Sequence, residues 1–489
     1  MTNLRDIVKA NDVRGLVGSQ LDARVARAFG VAFARLMLDP GRPAAVVGCD
    51  MRDSSPHLVS AFAAGVVSQG CRVIQIGLCS TDGLYYASGA FDAPGVMFTA
   101  SHNPATYNGM KLCRAGARPI GLDSGLAEVR DAAQALLDDP AWPGGDALAT
   151  DPEADARITE RNTLPGYAGH LRRLVDLRGA RRLRVVVDAG NGMAGLTVPA
   201  VFGTAAGLEP LPVDVVPMYF ELDGTFPNHE ANPLDPENLR DLQAAVPRAG
   251  ADLGLAFDGD ADRCFVVDER GHPVSPSAIT ALVAAREIAK ERAAGRPATV
   301  IHNLITSRVV PEVIRECGAT AVRTRVGHAF IKVEMARTGA VFGGEHSAHY
   351  YFRDFWFADT GMLAALHLLA ALGEQDRPLS RLVERYERYS ASGEINSTVA
   401  DVAVATSRVE RVFAGREGVH VDRLDGLTVI HDGTAGAGGA DGMWWFNLRP
   451  SNTEPLLRLN AEAADPVTMA RVRDEVLAVV RADAPVMQR

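Results

Sequence analysis

The sequence predicts an α/β protein of three related units, closed by a smaller α+β domain. Three observations carry this. A strand–loop–helix opening occurs three times, at Ala44 to Gly48, Leu183 to Val187 and Ala298 to His302, at spacings of roughly 110 to 140 residues. A stretch rich in Pro, Gly, Ala and Asp, from Asp138 to Asp155, reads as a boundary after the first unit. The C-terminal part then changes character, to short strands and glycine-rich loops before a final amphipathic helix, Pro466 to Arg481.

The chain has 489 residues, 47% apolar and 22% charged, an ordinary globular composition long enough for several cores. Its 50 basic and 60 acidic residues leave a net charge of −10, which argues against a nucleic-acid surface. Any anionic ligand must therefore be drawn by a local basic site. Cys49, Cys71, Cys79, Cys113, Cys264 and Cys317 form no C-x-x-C pair and read as small hydrophobes in a reducing compartment. Met1 to Lys9 is polar and charged, without an apolar signal core. The longest apolar helix candidate, Gly361 to Leu372, contains His367 and is too short to span a bilayer. The expectation is a cytoplasmic protein with neither a membrane nor a nucleic-acid partner.

In chain order, Asn11-Asp12-Val13-Arg14-Gly15 precedes a helix from Ala23 to Leu38, and Arg14 on this turn is a candidate anion ligand. The strand Ala44 to Gly48, the loop Cys49 to Ser54, the helix Ser55 to Gly70 and the strand Arg72 to Gly77 form a β-α-β unit. The apolar run Gly95-Val96-Met97-Phe98 reads as a buried strand. Thr99-Ala100-Ser101-His102-Asn103-Pro104 follows it, and Pro104 keeps Asn103 out of the helical region. Ser101 therefore sits on a tight loop at a strand end, where open α/β sheets place their ligands. Asn108-Gly109 makes a second turn before Lys111. A hydroxyl, an imidazole and an ammonium so close together can carry nucleophilic chemistry.

The second unit holds a metal candidate. Leu253 to Phe257 is apolar, Asp258-Gly259-Asp260-Ala261-Asp262-Arg263 is not, and Cys264 to Val267 is apolar again. Carboxylates at every second position of a turn between strands can converge on one hard cation, Mg²⁺ or Ca²⁺. An EF-hand fails here, because Arg263 takes the position that needs glycine and the flanks read as strands. A divalent ion and a loop serine together suit phosphoryl transfer.

Two further loops offer groups for the rest of a substrate. Arg325-Val326-Gly327-His328 follows a β-like stretch, and Gly343-Gly344-Glu345-His346-Ser347-Ala348-His349 opens on glycines. Glu345 and Ser347 alternate, as a pair reading vicinal sugar hydroxyls would. Gly393 to Val404, Thr428 to His431 and Trp444 to Leu448 read as strands. Arg449-Pro450-Ser451-Asn452-Thr453-Glu454-Pro455 then supplies a guanidinium, hydroxyls and backbone N–H groups suited to a phosphate.

In this order, spanning essentially the whole chain, these loops resemble those of the α-D-phosphohexomutase superfamily. Thr99 to Pro104 resembles its phosphoserine loop, Asp258 to Arg263 its Mg²⁺ loop, Glu345 to His349 its sugar-binding loop and Arg449 to Thr453 its phosphate-binding loop. Gly344-Glu345-His346-Ser347-Ala348-His349, followed by Tyr350-Tyr351-Phe352-Arg353-Asp354-Phe355, is most similar to the bacterial phosphomannomutase and phosphomannomutase/phosphoglucomutase branch. The resemblance implies three related α/β domains with mixed sheets and a fourth, TATA-binding-protein-like domain around a central cleft. The expected boundaries are residues 1–155, 156–263, 264–382 and 383–489.

The implied reaction interconverts mannose 6-phosphate and mannose 1-phosphate through phosphorylated Ser101 and a hexose 1,6-bisphosphate. Asp258, Asp260 and Asp262 would hold Mg²⁺ against the phosphoserine. Lys111, His102 and His328 are the candidates for proton transfer and charge stabilisation. Arg14, Arg263, Gly327, Glu345, Ser347, His349, Arg449, Ser451, Asn452 and Thr453 would bind substrate, in a monomer or a homodimer. Asn11 and Ile305 depart from the pattern, standing where the family often has Tyr and Lys. The alternatives are a phosphoglucomutase or dual-specificity mutase, a Mg²⁺-dependent sugar-phosphate phosphatase, and a non-catalytic Ca²⁺-binding protein.

Overall fold

A computed structural model describes residues 3–142, 156–433, 442–450 and 456–482. Four sheets follow one another along the chain. The first contains β1 (Val13–Leu16), β2 (Ala44–Cys49), β3 (Arg72–Leu78), β4 (Gly95–Phe98), β5 (Tyr107–Arg114), β6 (Arg118–Pro119) and β7 (Ile158–Glu160). Its order is β1-β5-β4-β2-β3-β7, with β6 on β5. The second contains β8 (Leu183–Asp188), β9 (Val213–Met218), β10 (Leu253–Phe257), β11 (Cys264–Asp268) and β12 (Pro273–Val274), ordered β12-β11-β10-β8-β9. The third contains β13 (Thr299–Asn303), β14 (Thr320–Thr324), β15 (Phe342–Gly344), β16 (Tyr350–Phe352) and β17 (Ala358–Asp359), ordered β14-β13-β15-β16-β17.

These three sheets are mixed, as expected. Parallel strands at the centre are buried from end to end, β2, β4 and β10 at every residue, because helices cover both faces. The fourth sheet differs: β18 (Ser390–Thr398), β19 (Val419–Asp422), β20 (Leu427–His431), β21 (Trp444–Pro450) and β22 (Leu456–Ala463) are antiparallel throughout, in the order β18-β22-β21-β20-β19. The helices Val402–Phe413 and Pro466–Val480 pack against it.

One local device recurs in the first three domains. A parallel strand reaches its C-terminal end and turns straight back as an antiparallel hairpin: β4 into β5, β10 into β11, β15 into β16. The three hairpin tips carry Ser101, Asp258 to Arg263, and Glu345 to His349 respectively. Loops at the carboxyl ends of parallel strands are where α/β sheets gather ligands, so the repeated topology aims all three tips at one region.

Three expectations need correction. Strand β7 pairs in parallel with β3, so the first sheet extends past the boundary at residue 155. Strand β11 hydrogen-bonds to β10 along its whole length, and β12 to β11. The second sheet thus ends at Val274, not at Arg263, because a hairpin cannot be divided between cores. The segment Gly393 to Val404 is strand only to Thr398, and Asp401 then caps a helix by accepting from Val404 N at 2.9 Å.

The domains are locked by a buried carboxylate beneath the hairpin tips. Asp82, in the first turn of the helix Thr81–Phe91, is fully buried. It accepts from Tyr167 OH of the second domain at 2.7 Å, from Thr360 Oγ1 of the third at 2.6 Å, and from Ser80. Burial outweighs these donors and pushes the carboxyl up to about 6, from 3.8. The folded state then binds the proton more tightly than the unfolded chain. This group's contribution to stability is complete below pH 3.8 and is lost as pH rises through about 6. We predict that Asp82→Asn removes a wild-type loss of up to about 3 kcal/mol between pH 4 and 7. Urea denaturation of both proteins across that range tests it; parallel pH profiles would refute the assignment.

Candidate active site

Ser101 stands on the first hairpin tip in a left-handed conformation, φ 51°, rarely adopted by serine. Its N–H donates to Thr99 Oγ1 at 2.9 Å. Its Oγ donates to Asp258 Oδ2 at 3.0 Å, across the interface between the first two domains. The close approach requires Gly259. A Cβ there would lie 2.5 Å from the carbonyl oxygen of Ser101, so any side chain would push the serine loop off the carboxylate loop.

The three aspartates are all buried, at 0%, 0% and 1% exposure. Lys111, on β5, donates to Asp260 Oδ2 at 2.7 Å and Asp262 Oδ2 at 2.5 Å. Arg263 Nε donates to Asp258 Oδ2 at 2.8 Å, and its backbone N–H to Oδ1. Burial disfavours charge on all of these groups, and their mutual attraction decides the outcome. Lys111 is held above its ordinary range by Asp260 and Asp262, which in turn stay below theirs beside it. Asp258, buried and beside two other carboxylates, is pushed up to about 6 despite Arg263.

Two buried oxygens, Asp260 Oδ1 and Asp262 Oδ1, have no hydrogen-bond partner among the described residues. Buried acceptors are normally satisfied. One oxygen of each of Asp258, Asp260 and Asp262 lies within 4.8 Å of the others, a donor set for a hard divalent cation. The expected ligands therefore fit Mg²⁺ chemically.

The same cleft brings together most of the other expected residues. Arg14, Ser101, His102, Lys111, Asp262, Arg263 and His349 line it. Arg14 Nη1 donates to Asn103 Oδ1 at 2.7 Å and Nε to Asp12 Oδ2 at 2.8 Å. His102 has a lower affinity for protons than an ordinary imidazole, through burial and the nearby Arg263 and Arg14. Its Nδ1 accepts from Arg263 Nη2 at 2.6 Å and lies 3.3 Å from Ser101 Oγ. The third domain reaches in through the bridge between Arg263 and His349. His349 Nδ1 lies 2.9 Å from Ser347 Oγ, and Nε2 lies 3.8 Å from Asp262 Oδ1.

Glu345 is held by donors from three segments of the third domain. It is buried, and accepts from Tyr351 OH at 2.7 Å, Asn303 Nδ2 at 3.0 Å and the Gly327 N–H at 3.2 Å. With about four acceptor positions on a carboxylate, one remains beside these three donors. Glu345 ties the Gly327 turn to its own loop. Arg449, at the end of β21, shares Glu394 with Arg458, at 3.2 and 3.3 Å. The roles expected of the His328 side chain and of Ser451, Asn452 and Thr453 lie outside the described residues. Ile305 is buried at the junction of the third and fourth domains, near Ser277 and His346.

Sequence reasoning missed Thr81 and the Lys332–Asp359 pair. Thr81 Oγ1 donates to Asp260 Oδ2 at 2.5 Å and its N–H to the Asp260 carbonyl at 3.0 Å. Asp359 lines the cleft and pairs with buried Lys332 at 2.6 Å. No local motif announces either, since each partner comes from a distant segment.

Comparison with known proteins agrees with this arrangement. The phosphoglucomutase/phosphomannomutase α/β/α domain I matches residues 5–136, domain II residues 165–271, domain III residues 276–389 and the C-terminal domain residues 394–479. A protein of Xanthomonas campestris pv. campestris named "Phosphohexose mutases" is 40% identical over 470 residues, covering 96% of this chain and 97% of its own. A phosphomannomutase of Escherichia coli K12 is 38% identical over 472 residues, with 96% and 97% covered. The solved structure of a phosphoglucomutase/phosphomannomutase family protein from Burkholderia thailandensis superposes with a TM-score of 0.81 at 29% identity, covering 100% of this chain and 99% of that one. Fold and site together define an isomerase of the phosphohexomutase type. The chain belongs to the phosphoglucomutase/phosphomannomutase family.

Asp260→Asn removes an ionised oxygen donor and one partner of Lys111. We predict weaker Mg²⁺ binding and a kcat lower by about 10². Calorimetric Mg²⁺ titration alongside activity tests this, and an unshifted affinity would place the cation elsewhere.

Proposed function

We propose that the protein interconverts mannose 6-phosphate and mannose 1-phosphate through phosphorylated Ser101 and a bound hexose 1,6-bisphosphate. The observation that carries the reading is the 3.0 Å contact of Ser101 Oγ with Asp258, beside three buried carboxylates that pair with Arg263 and with Lys111 on the cleft wall. Asp258, Asp260 and Asp262, with a phosphoryl oxygen on Ser101, would hold Mg²⁺, which when bound polarises phosphoryl oxygens and offsets their charge.

In the first half-reaction the sugar O1 or O6 attacks the phosphorus on Ser101. The new P–O bond forms as the bond to Ser101 Oγ breaks, and Oγ keeps that electron pair beside the Asp258–Arg263 pair. The hydroxyl proton must leave. Lys111 is held protonated by two aspartates, and the Nδ1 lone pair of His102 faces Arg263. His349 is the other described imidazole lining the cleft. In the tautomer that carries its hydrogen on Nδ1, facing Ser347 Oγ, its Nε2 can take the proton. The bisphosphate then turns over, Ser101 Oγ attacks the other phosphate, and His349 returns the proton. Arg449, with any donors of residues 451–453, holds the phosphate that is not reacting.

Support for mannose is the Glu345 to His349 loop and the name of the E. coli relative. The Xanthomonas protein's name, which specifies a hexose without saying which one, leads to a second reading, a mutase accepting mannose and glucose phosphates alike. The deciding experiment compares kcat/KM for mannose 1-phosphate and glucose 1-phosphate with added hexose 1,6-bisphosphate. Preference for mannose by about tenfold or more supports the first reading. A ratio near one supports the second, and a preference for glucose overturns the mannose assignment.

Ser101→Ala is expected to abolish most turnover in both directions and to eliminate the phosphate found by intact mass after incubation with bisphosphate. Wild-type turnover in this variant would end the phosphoserine reading.

A further inference from the structure

Arg52 lies on the loop after β2, at the strand end neighbouring β4 in the first sheet. It is 2% exposed. All five of its side-chain N–H groups are engaged. Nε donates to Asp50 Oδ2 at 3.1 Å. Nη1 donates to the carbonyls of Pro104 and Tyr107, both at 2.9 Å, and Nη2 to those of Ser101 at 2.9 Å and Asn103 at 2.7 Å. One guanidinium thus gathers four carbonyls of a single loop, the loop that carries Ser101.

The remaining contacts fix the guanidinium itself. Asp50, wholly buried, also accepts from the Arg52 N–H at 3.1 Å and Ser55 Oγ at 2.9 Å. From the second domain, the Phe226 ring lies 5.1 Å from the guanidinium carbon. The Gly224 backbone packs so close that a Cβ would sit 2.6 Å from Arg52 Cα. The fork is therefore pinned from its own domain and from the domain carrying the metal loop.

This arrangement answers a specific need. Ser101 has φ 51° without being glycine, and such a conformation persists only where the surroundings over-determine it. Its Oγ faces Asp258 only while that conformation holds. Thr99 fixes the Ser101 N–H, and Arg52 fixes the carbonyl. A planar, permanently charged fork can serve several acceptors in fixed directions, which an ammonium cannot. We propose that Arg52 is a positioning residue of phosphoryl transfer, holding Ser101 in the conformation that presents its Oγ to the carboxylate loop. The inference rests on the phosphoserine reading.

Arg52→Lys keeps the charge and removes the fork. The expected result is a kcat lower by about 10² in both directions, the scale of a small misplacement of reacting atoms, with KM for hexose phosphate within about twofold of wild type. Phosphate should also appear on Ser101 more slowly in the presence of hexose 1,6-bisphosphate, followed by intact mass. A kcat within about twofold of wild type, or a rise confined to KM, overturns the inference. If Arg52→Lys does not fold, Asp50→Asn removes the anion that aims the fork and so weakens its hold on the four carbonyls. A fall in kcat at unchanged KM then supports the inference, and unchanged kcat overturns it. Ser101→Ala run in parallel separates the two failures. An active Ser101→Ala removes the phosphoserine reading itself, whereas an inactive one beside a wild-type-like Arg52→Lys removes only the role of Arg52.

Discussion

Three buried carboxylates, with Arg263 and Lys111 set against them, fix the terms for the rest of this molecule. Burying ionised groups is strongly unfavourable unless each is paired and hydrogen-bonded. Lys111 and Arg263 pair with Asp258, Asp260 and Asp262, yet two carboxylate oxygens have no donor among the described residues. The imbalance makes the cluster hospitable to a divalent cation. A phosphoryl group arriving on Ser101 brings negative charge to a place already furnished with positive charge. Affinity for the metal and for the phosphate are in this sense one electrostatic arrangement.

That arrangement exists only when the domains are docked. The serine and lysine come from the first domain, the aspartates and Arg263 from the second, His349 from the third. Close backbone approach makes this possible: Gly259 meets the Ser101 carbonyl, and a Cβ on Gly361 would lie 2.6 Å from the Arg263 carbonyl carbon. Asp82 joins three domains just below, next to Thr81, which holds Asp260. Structural and catalytic contacts therefore share the helix turn Ser80–Asp82, so its substitution should disturb both.

The fourth domain touches the site differently. Its sheet presents Arg449 on the face opposite Trp444, Phe446 and Leu448, which fill its core. Polar contacts join it to the third domain: the Val326 N–H donates to Asp425 Oδ2 at 3.0 Å, and the Arg308 N–H to Glu462 Oε1 at 3.0 Å. Ile305, at the same junction, contributes no charge. Such polar junctions come apart more readily than hydrophobic ones.

By itself the sequence determined what local chemistry determines. Alternation and apolar runs marked most strands, and the Asn-Pro, Asn-Gly and Asp-rich turns marked the loops at their ends. The spacing of Asp258, Asp260 and Asp262 was enough to imply a hard cation, because ligands on one turn converge without help from the fold. Tertiary structure decided everything that depends on groups remote in the chain. It assigned β7 and β11 to their sheets, since strand membership is a matter of which edge is unpaired. It turned Glu345 inward, because Asn303 and Tyr351 supply donors that a linear reading does not bring near. It tied His102 to Arg263, 161 residues away. It gathered four carbonyls of the serine loop onto Arg52, a contact invisible in sequence because carbonyls belong to every residue and only folding selects which of them meet.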